Sequence, residues 1–533
     1  MGFSFHSEPV HLDARSSLLE TSHLLSVAPH QHYYSLRGTA AVLHTRTLQR
    51  LSRLRQVGLG ALVWPNAENT RFSHSLGTEY WVTRFLHQLR QGPCQENRAA
   101  IHQIESLLGD AFSLDLCARL FALVHDTYLL PLGHTLQYQL GFFSDSGAES
   151  RRLRQVIRWI AEEVEEAPEI VSISDPVQRR AVLECLRRHL DLVDAVVGIQ
   201  RLLVGRPWTP EAKWLSTKQV AEWASALSFI YDLTHAIFSA DLIDFALRDS
   251  LGAAMPQFFD ERLLHSLCIL ETEFPQQANS ALASASGKHK LFRFGLIGVD
   301  GDQPNHALIA SLAGLYRIRY EIASRVFYHP TKCAADAMLD LALRRIDAAD
   351  QVLSQRREPF SETHLLRLGD DAFLDLLESR EQAVLPAGEK PMLTHLLSRQ
   401  LHGEVLRLSA DDPANPSILE YLAPAQPPYH RTEIEKHLLA QLTDLSPGDL
   451  IVSVRPRTMQ AKPPAILLRW KNGVVATLGE IAATEGLAAE VLEIQAAYQD
   501  LWSASVYLHP RHWPRRCEVR ASCQGLFRSP LPL

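Results

Sequence analysis

A chain of 533 residues, 46% hydrophobic and 21% charged, can bury a large core in two or three structural units, which excludes wholesale disorder. Its formal net charge of −7 argues against a globally basic nucleic-acid binder. Seven scattered cysteines without CxxC spacing argue against a zinc ribbon or a disulfide framework and fit a reducing, cytoplasmic compartment.

The opening MGFSFHSEPVHLDAR has no apolar core of a secretory signal, and His6 stands where a myristoylation motif wants Ser or Thr. Residues 1–32 read as an irregular leader. From 33 to 408 the helical period dominates and strand-like runs are scarce. Phe72, Leu76 and Tyr80, then Phe85 and Leu89, line one face, as do Leu116, Leu120, Leu123 and Val124. The run 220–251 repeats the pattern with Leu227, Ile230, Tyr231, Ile237, Leu242 and Phe245. No apolar run reaches the roughly 18 residues that span a bilayer, so no membrane partner is expected. Prolines 413, 416, 424, 427 and 428 break the pattern between Ser409 and His430. Beyond them, Leu450 to Val454 predicts a strand. Ala465–Trp470 and Val474–Leu478, joined by Asn472-Gly473, predict a β-hairpin, because Asn-Gly supplies positive φ. A helix over 479–500 and a strand over 504–508 complete a small α+β lobe. The expected fold is mainly α: a catalytic core over 33–265, a helical extension over 266–408, a Pro-rich linker and helix over 409–445, and a C-terminal α+β lobe with a basic tail over 446–533.

Four side chains carry candidate chemistry. His74 lies in TRFSHSLGT, His125 and Asp126 in LFALVHDTYLLPLGHT, and Asp241 in SADLIDFALRDSL. Each falls on or beside a predicted helix. Two imidazoles and two carboxylates offer mixed N/O ligation for a divalent ion such as Mn, Fe, Zn, Co, Ni or Mg, with positions left for water and a phosphate oxygen. Among 24 histidines, an isolated His-Asp pair is more often a satisfied or surface polar pair than a metal site.

Four ordered blocks extend the pattern: 48–81, LQRLSRLRQVGLGALVWPNAENTRFSHSLGTEYW; 125–135, HDTYLLPLGHT; 229–250, FIYDLTHAIFSADLIDFALRDS; and 315–339, LYRIRYEIASRVFYHPTKCAADAML. In these blocks, and in its last lobe, the chain resembles the HD-domain deoxynucleoside triphosphate triphosphohydrolases, including the vertebrate SAM-and-HD-domain enzyme and bacterial dGTPase-like proteins, without an N-terminal SAM-like domain. The resemblance implies a helical HD core with His74, His125, Asp126 and Asp241 as metal ligands. It implies that Arg71, His134 and Arg319 hold phosphates, and that Gln56 and Asp249 bond the sugar 3′-hydroxyl. Phe245, Phe327 and Tyr328 would border sugar and base. From the residues alone, Arg71 reads equally as a surface arginine beside Glu68, His134 as a helix-entry histidine, and the two phenylalanines as core.

The chain departs from the family pattern H-D-x-x-H-x-P-x-x-H followed by an acidic residue. Leu129 replaces the middle histidine, Gln137 the acid, and Leu242 a phosphate-binding lysine of the vertebrate relative. Leucine transfers no proton and glutamine is no carboxylate base. The expected activity is therefore dNTP triphosphohydrolysis with an altered acid/base apparatus, in a homo-oligomer with a possible nucleotide effector, serving nucleotide-pool control or antiviral defence. The alternatives are a nucleotide sensor without turnover and a hydrolase of another nucleotide phosphoester. Arg511, Arg515, Arg516 and Arg520 near Trp513 read as a solvated tail or subunit contact before a nucleic-acid contact, so nucleic acid is not an expected partner.

Overall fold

The computed structural model describes residues 17–18, 20–26, 30, 32–143, 145, 147–255, 259–275, 290–424, 429–455 and 465–528. The fold is mainly α, as the helical period requires. It opens, however, on paired antiparallel strands, β1 (Thr21–Ser26) and β2 (His32–Leu36). They correct the reading of 1–32 as irregular, of which 1–16 lie outside the described residues. The aromatic pair Tyr33-Tyr34 was the missed β signal.

The core follows as α1 (Arg71–Gln91), α2 (Gln95–Leu108), α3 (Ala111–Val124), α4 (Ala148–Glu163), α5 (Pro176–Leu203), α6 (Ala224–His235) and α7 (Ala240–Gly252). α1 packs against both α3 and α7, and α3 against α5 and α6. The stripe Leu116, Leu120, Leu123 and Val124 is buried throughout, and buried Phe85 and Leu89 anchor α1. Inside this apolar contact Arg119 of α3 meets Glu79 of α1 at 2.8 Å, both buried. The stretch Ala224–Gly252 is long and apolar enough to cross a membrane by composition, and 72% of its most apolar window is buried within the fold.

β3 (Leu267–Thr272) and β4 (Leu291–Ile297) then form an antiparallel pair, and α6 packs on β4. This sheet is a correction to the helical reading of 266–408. After α8 (His306–Ile322), α9 (Pro330–Asp350) and α10 (Asp370–Val384) come β5 (Gly403–Ser409), α11 (Pro416–Leu422), α12 (His430–Gln441) and β6 (Leu450–Val454). The chain closes with β7 (Leu467–Arg469), β8 (Val475–Thr477), α13 (Leu478–Glu485), α14 (Ala489–Asp500), β9 (Ser503–Leu508) and α15 (Arg516–Arg528).

The Asn-Gly hairpin forms as its turn chemistry dictates, with Asn472 at φ 57 and Gly473 at φ 74. It does not join the C-terminal sheet. β7 pairs parallel to β4, giving the order β8-β7-β4-β3. The C-terminal sheet is β5-β9-β6, so the segment read as a linker begins where a strand ends. Pro416 occupies the first turn of α11, where a proline N–H is not needed. Pro427 and Pro428 lie outside the described residues.

The last lobe has its own apolar core, including Leu419, Leu438, Val452, Val506 and Val519. A buried ion cluster ties it to the helical body. Arg344 of α9 bonds Glu435 of α12 at 2.9 Å through each of two terminal nitrogens, and Arg431 bonds Asp340 at 3.0 Å. In the basic tail, Arg511 pairs with Asp449 and Arg515 with Glu518 and Asp444.

Candidate metal centre

Three helix ends meet here. The Thr70 hydroxyl accepts from the Ser73 amide at 3.2 Å, so α1 starts at Arg71 and carries Arg71 and His74 on one face of its first turn. α3 runs out at Val124, and His125 and Asp126 follow at its C-terminal end. Ser239 caps α7, placing Asp241 in a first turn whose dipole favours a carboxylate.

Asp241 Oδ1 lies 3.0 Å from His74 Nε2 and 3.9 Å from His125 Nε2. Asp126 Oδ2 lies 3.8 Å from each of the same nitrogens. Ligands about 2.1 Å from one octahedral ion stand about 3.0 Å apart when adjacent and about 4.2 Å apart when opposite. These four separations fall in that window, and donor atoms of His74, His125 and Asp241 all lie within 4.8 Å of one another.

The far ring nitrogens are tied off. His74 Nδ1 donates to Asp244 Oδ2 and His125 Nδ1 to the Ala122 carbonyl, both at 2.7 Å. Both Nε2 atoms are thereby turned to the centre, where His74 Nε2 meets Asp241 Oδ1 at 3.0 Å. His125 Nε2 is buried without a hydrogen-bond partner. Such an orphan costs about 1–3 kcal/mol, and a divalent cation is what two imidazoles and two carboxylates fit. Burial disfavours a charged His74, yet its bonds to Asp241 and Asp244 push its pKa up to about 10. Burial also opposes ionisation of Asp126, but Arg71 and the two imidazoles hold its carboxyl well below the usual range.

Asp244 went unassigned in the sequence, although it lies three residues after Asp241 on the same helix. It is fully buried and accepts from Arg248 Nη2 at 2.7 Å, Arg248 Nε at 2.9 Å and His30 Nε2 at 2.6 Å. Burial works against its charge, and Arg248, His30 and His74 together outweigh it, keeping the carboxyl far below the ordinary range. α1 comes close to this network at Gly77, where a Cβ would stand 1.7 Å from Asp244 Oδ1. His30 arrives from the segment before β2, and nothing local in sequence marks it.

Arg71 joins the centre to the expected sugar-binding groups. Its Nη1 donates to Asp126 Oδ2 at 2.7 Å and its Nη2 to the Gln56 carbonyl at 3.0 Å, while Nε is buried and unpartnered. Gln56 Oε1 and both carboxylate oxygens of Asp249 are also buried without partners. Burial, only partly offset by the charges of His74 and Arg71, lifts the Asp249 pKa from 3.8 to about 7. An acid with a raised folded pKa loses relative stability as pH rises from its unfolded pKa to its folded one. In metal-free protein, Asp249→Asn should therefore match wild type near pH 4 and gain about 4 kcal/mol by pH 8. Urea unfolding across that range checks this; a pH-independent difference would contradict it.

The remaining predicted site residues are placed unevenly. Phe245, on the turn of α7 between Asp241 and Asp249, stacks on Phe327 with centroids 6.3 Å apart and planes at 4°. His134 is half-buried just ahead of a π-helical turn at Thr135–Gln139. Tyr328 lines a different small cavity, with the Arg455 guanidinium 5.1 Å over its ring. The Arg319 carbonyl accepts from Tyr498, and among the described residues no hydrogen bond or ion pair links its guanidinium to the centre. Leu129 is wholly buried core, its carbonyl accepting from Arg50 at 2.9 Å. Gln137 is buried too, its Oε1 accepting from the Leu130 amide at 3.2 Å.

No family model matches the chain. It is 29% identical over 109 residues to an uncharacterized protein of Methanocaldococcus jannaschii, a stretch covering 20% of this chain and 19% of that protein. The chain thus matches about a fifth of that relative's length, and the likeness brings no activity with it.

Proposed function

We propose that the chain is a metal-dependent phosphohydrolase of the HD type acting on deoxynucleoside triphosphates, to give deoxynucleoside and triphosphate. The observation that carries this reading is the set His74, His125, Asp126 and Asp241, with both histidine Nδ1 atoms tied back and one Nε2 left without a partner. A divalent ion held there supplies a water of lowered pKa and neutralises phosphate charge. Arg71, positioned by Asp126 and the Gln56 carbonyl, keeps Nε for a phosphate oxygen. Gln56 and Asp249 offer unsatisfied buried acceptors to a sugar hydroxyl, and a 3′-phosphate would meet a carboxylate there. Water oxygen bonds to the α-phosphorus and gives up a proton, the bond to the 5′-oxygen breaks, and that oxygen takes up a proton in turn.

Incubation with each dNTP and Mn²⁺, alone and with mixed nucleotides as effectors, tests the reading. Deoxynucleoside with inorganic triphosphate is the expected product pair. Absence of both in every mixture would overturn the catalytic proposal. One observation favours a second reading, a nucleotide sensor without turnover: Leu129 is buried in the core and Gln137 is spent on a backbone amide, so neither stands ready to move a proton. Nucleotide binding without hydrolysis would favour it.

A further inference from the structure

His125 lines a cavity of about 490 Å³ that is also walled by Arg152, Arg201 and Arg206. A neighbouring cavity of about 600 Å³ shares Arg152 and Arg201. Arg152 is the unusual member. It is 2% exposed, its Nη2 donates to the Phe143 carbonyl at 3.2 Å, and its Nε and Nη1 are buried without partners. A buried guanidinium with two idle donors is costly unless an anion meets it.

Glu362, Glu149 and Asp145 favour its charge from a distance, but no acidic residue in these walls hydrogen-bonds its Nε or Nη1. Asp145 is engaged by Arg151 and Arg356, and Glu362 by Arg356. Glu211 lies 3.5 Å from Arg154 and from Arg158. Burial raises the Glu149 pKa, which weakens its hold on a positive charge. The same cavity receives the first turn of α4 at Glu149 and Ser150, behind Gly147 at φ 81. Gly147 has no side chain to obstruct the opening; a Cβ there would stand 2.8 Å from Arg201 Nη1. Amides at a helix start and an unpartnered guanidinium together suit an oxyanion.

We propose that Arg152, with Arg201 and the first turn of α4, is an anion subsite that takes the outer phosphates of an oligophosphate whose other end reaches the centre at His125. The assignment of the reacting end rests on the phosphohydrolase reading; anion binding at Arg152 does not. None of the family-derived phosphate groups, Arg71, His134 or Arg319, belongs to this subsite.

Calorimetric titration of inorganic tripolyphosphate into the full chain, stripped of metal by chelator, tests it. Wild type should bind. Arg152→Gln should weaken binding at least about tenfold, the effect of losing one charge-assisted contact. Arg201→Gln, at a partly exposed position, should weaken it about threefold and decides the matter if Arg152→Gln fails to fold. No binding by wild type in the millimolar range, or wild-type affinity in every variant that folds, would overturn the subsite. Metal uptake by the same wild-type protein is measured separately. Tripolyphosphate binding without metal uptake would keep the subsite and remove the hydrolase; metal uptake without tripolyphosphate binding would do the reverse.

Discussion

His125→Ala should abolish divalent-metal binding at the candidate centre while leaving the protein folded. The imidazole makes one hydrogen bond to the protein, from Nδ1 to the Ala122 carbonyl, and its Nε2 meets no protein partner. Truncation thus leaves a single backbone acceptor unsatisfied and a small cavity, a cost on the order of 1–3 kcal/mol. The loss of metal affinity should exceed the roughly 10–100-fold that outer partners of a metal site are worth, because a ligand itself is removed. Any phosphohydrolysis of the kind proposed should fall to background with it. Metal content after gel filtration, read beside a thermal melt, checks both halves. A folded variant that keeps its full metal would end the assignment of this cluster.

Asp244→Ala should be the most destabilising single change at the centre. One buried carboxylate answers Arg248, His30 and His74 together. Its removal strands a guanidinium at 4% exposure and releases the proton that fixes the His74 tautomer. Breaking a buried pair from one side costs about 3–5 kcal/mol, and loss of the outer partner should weaken metal binding roughly 10–100-fold. Urea unfolding and metal titration measure the two effects. The double variant Asp244→Ala with Arg248→Met should recover part of the stability, since no unpaired charge then remains there, but none of the metal affinity. Equal stability of single and double variants would show that the Arg248 charge is not what the carboxylate serves.

The centre was largely legible because its parts are local. His74 sits one turn after Arg71, Asp126 follows His125, and Asp241 opens a helix behind a serine cap, so each fragment declares its geometry within a few residues. The outer layer was less legible. Asp244 carries a weak local sign, its spacing from Asp241, whereas His30 sits 214 residues away from the carboxylate it bonds. Arg152 reads in sequence as one more charged residue of an amphipathic helix. Its isolation appears once α4 is packed and Arg151 and Arg154 have taken acidic partners. Tyr328 shows the opposite outcome: with Phe327 it lines another small cavity, beside Arg455.

Helical class, the Asn-Gly turn and the strand at Leu450 to Val454 follow from period and backbone preference, which act over one or two turns of chain. Partner choice has no such local origin. β7 could not be assigned to β4 beforehand, nor β5 to β9, because strand edges select neighbours by the burial available around them. The same holds for the candidate ligands: residue type and spacing single each out, while the His–Asp separations of 3.0–3.9 Å follow from α1 packing on α3 and α7. Long-range packing set that geometry, since the free energy that draws the helices together is the burial of their apolar faces and depends on no single motif.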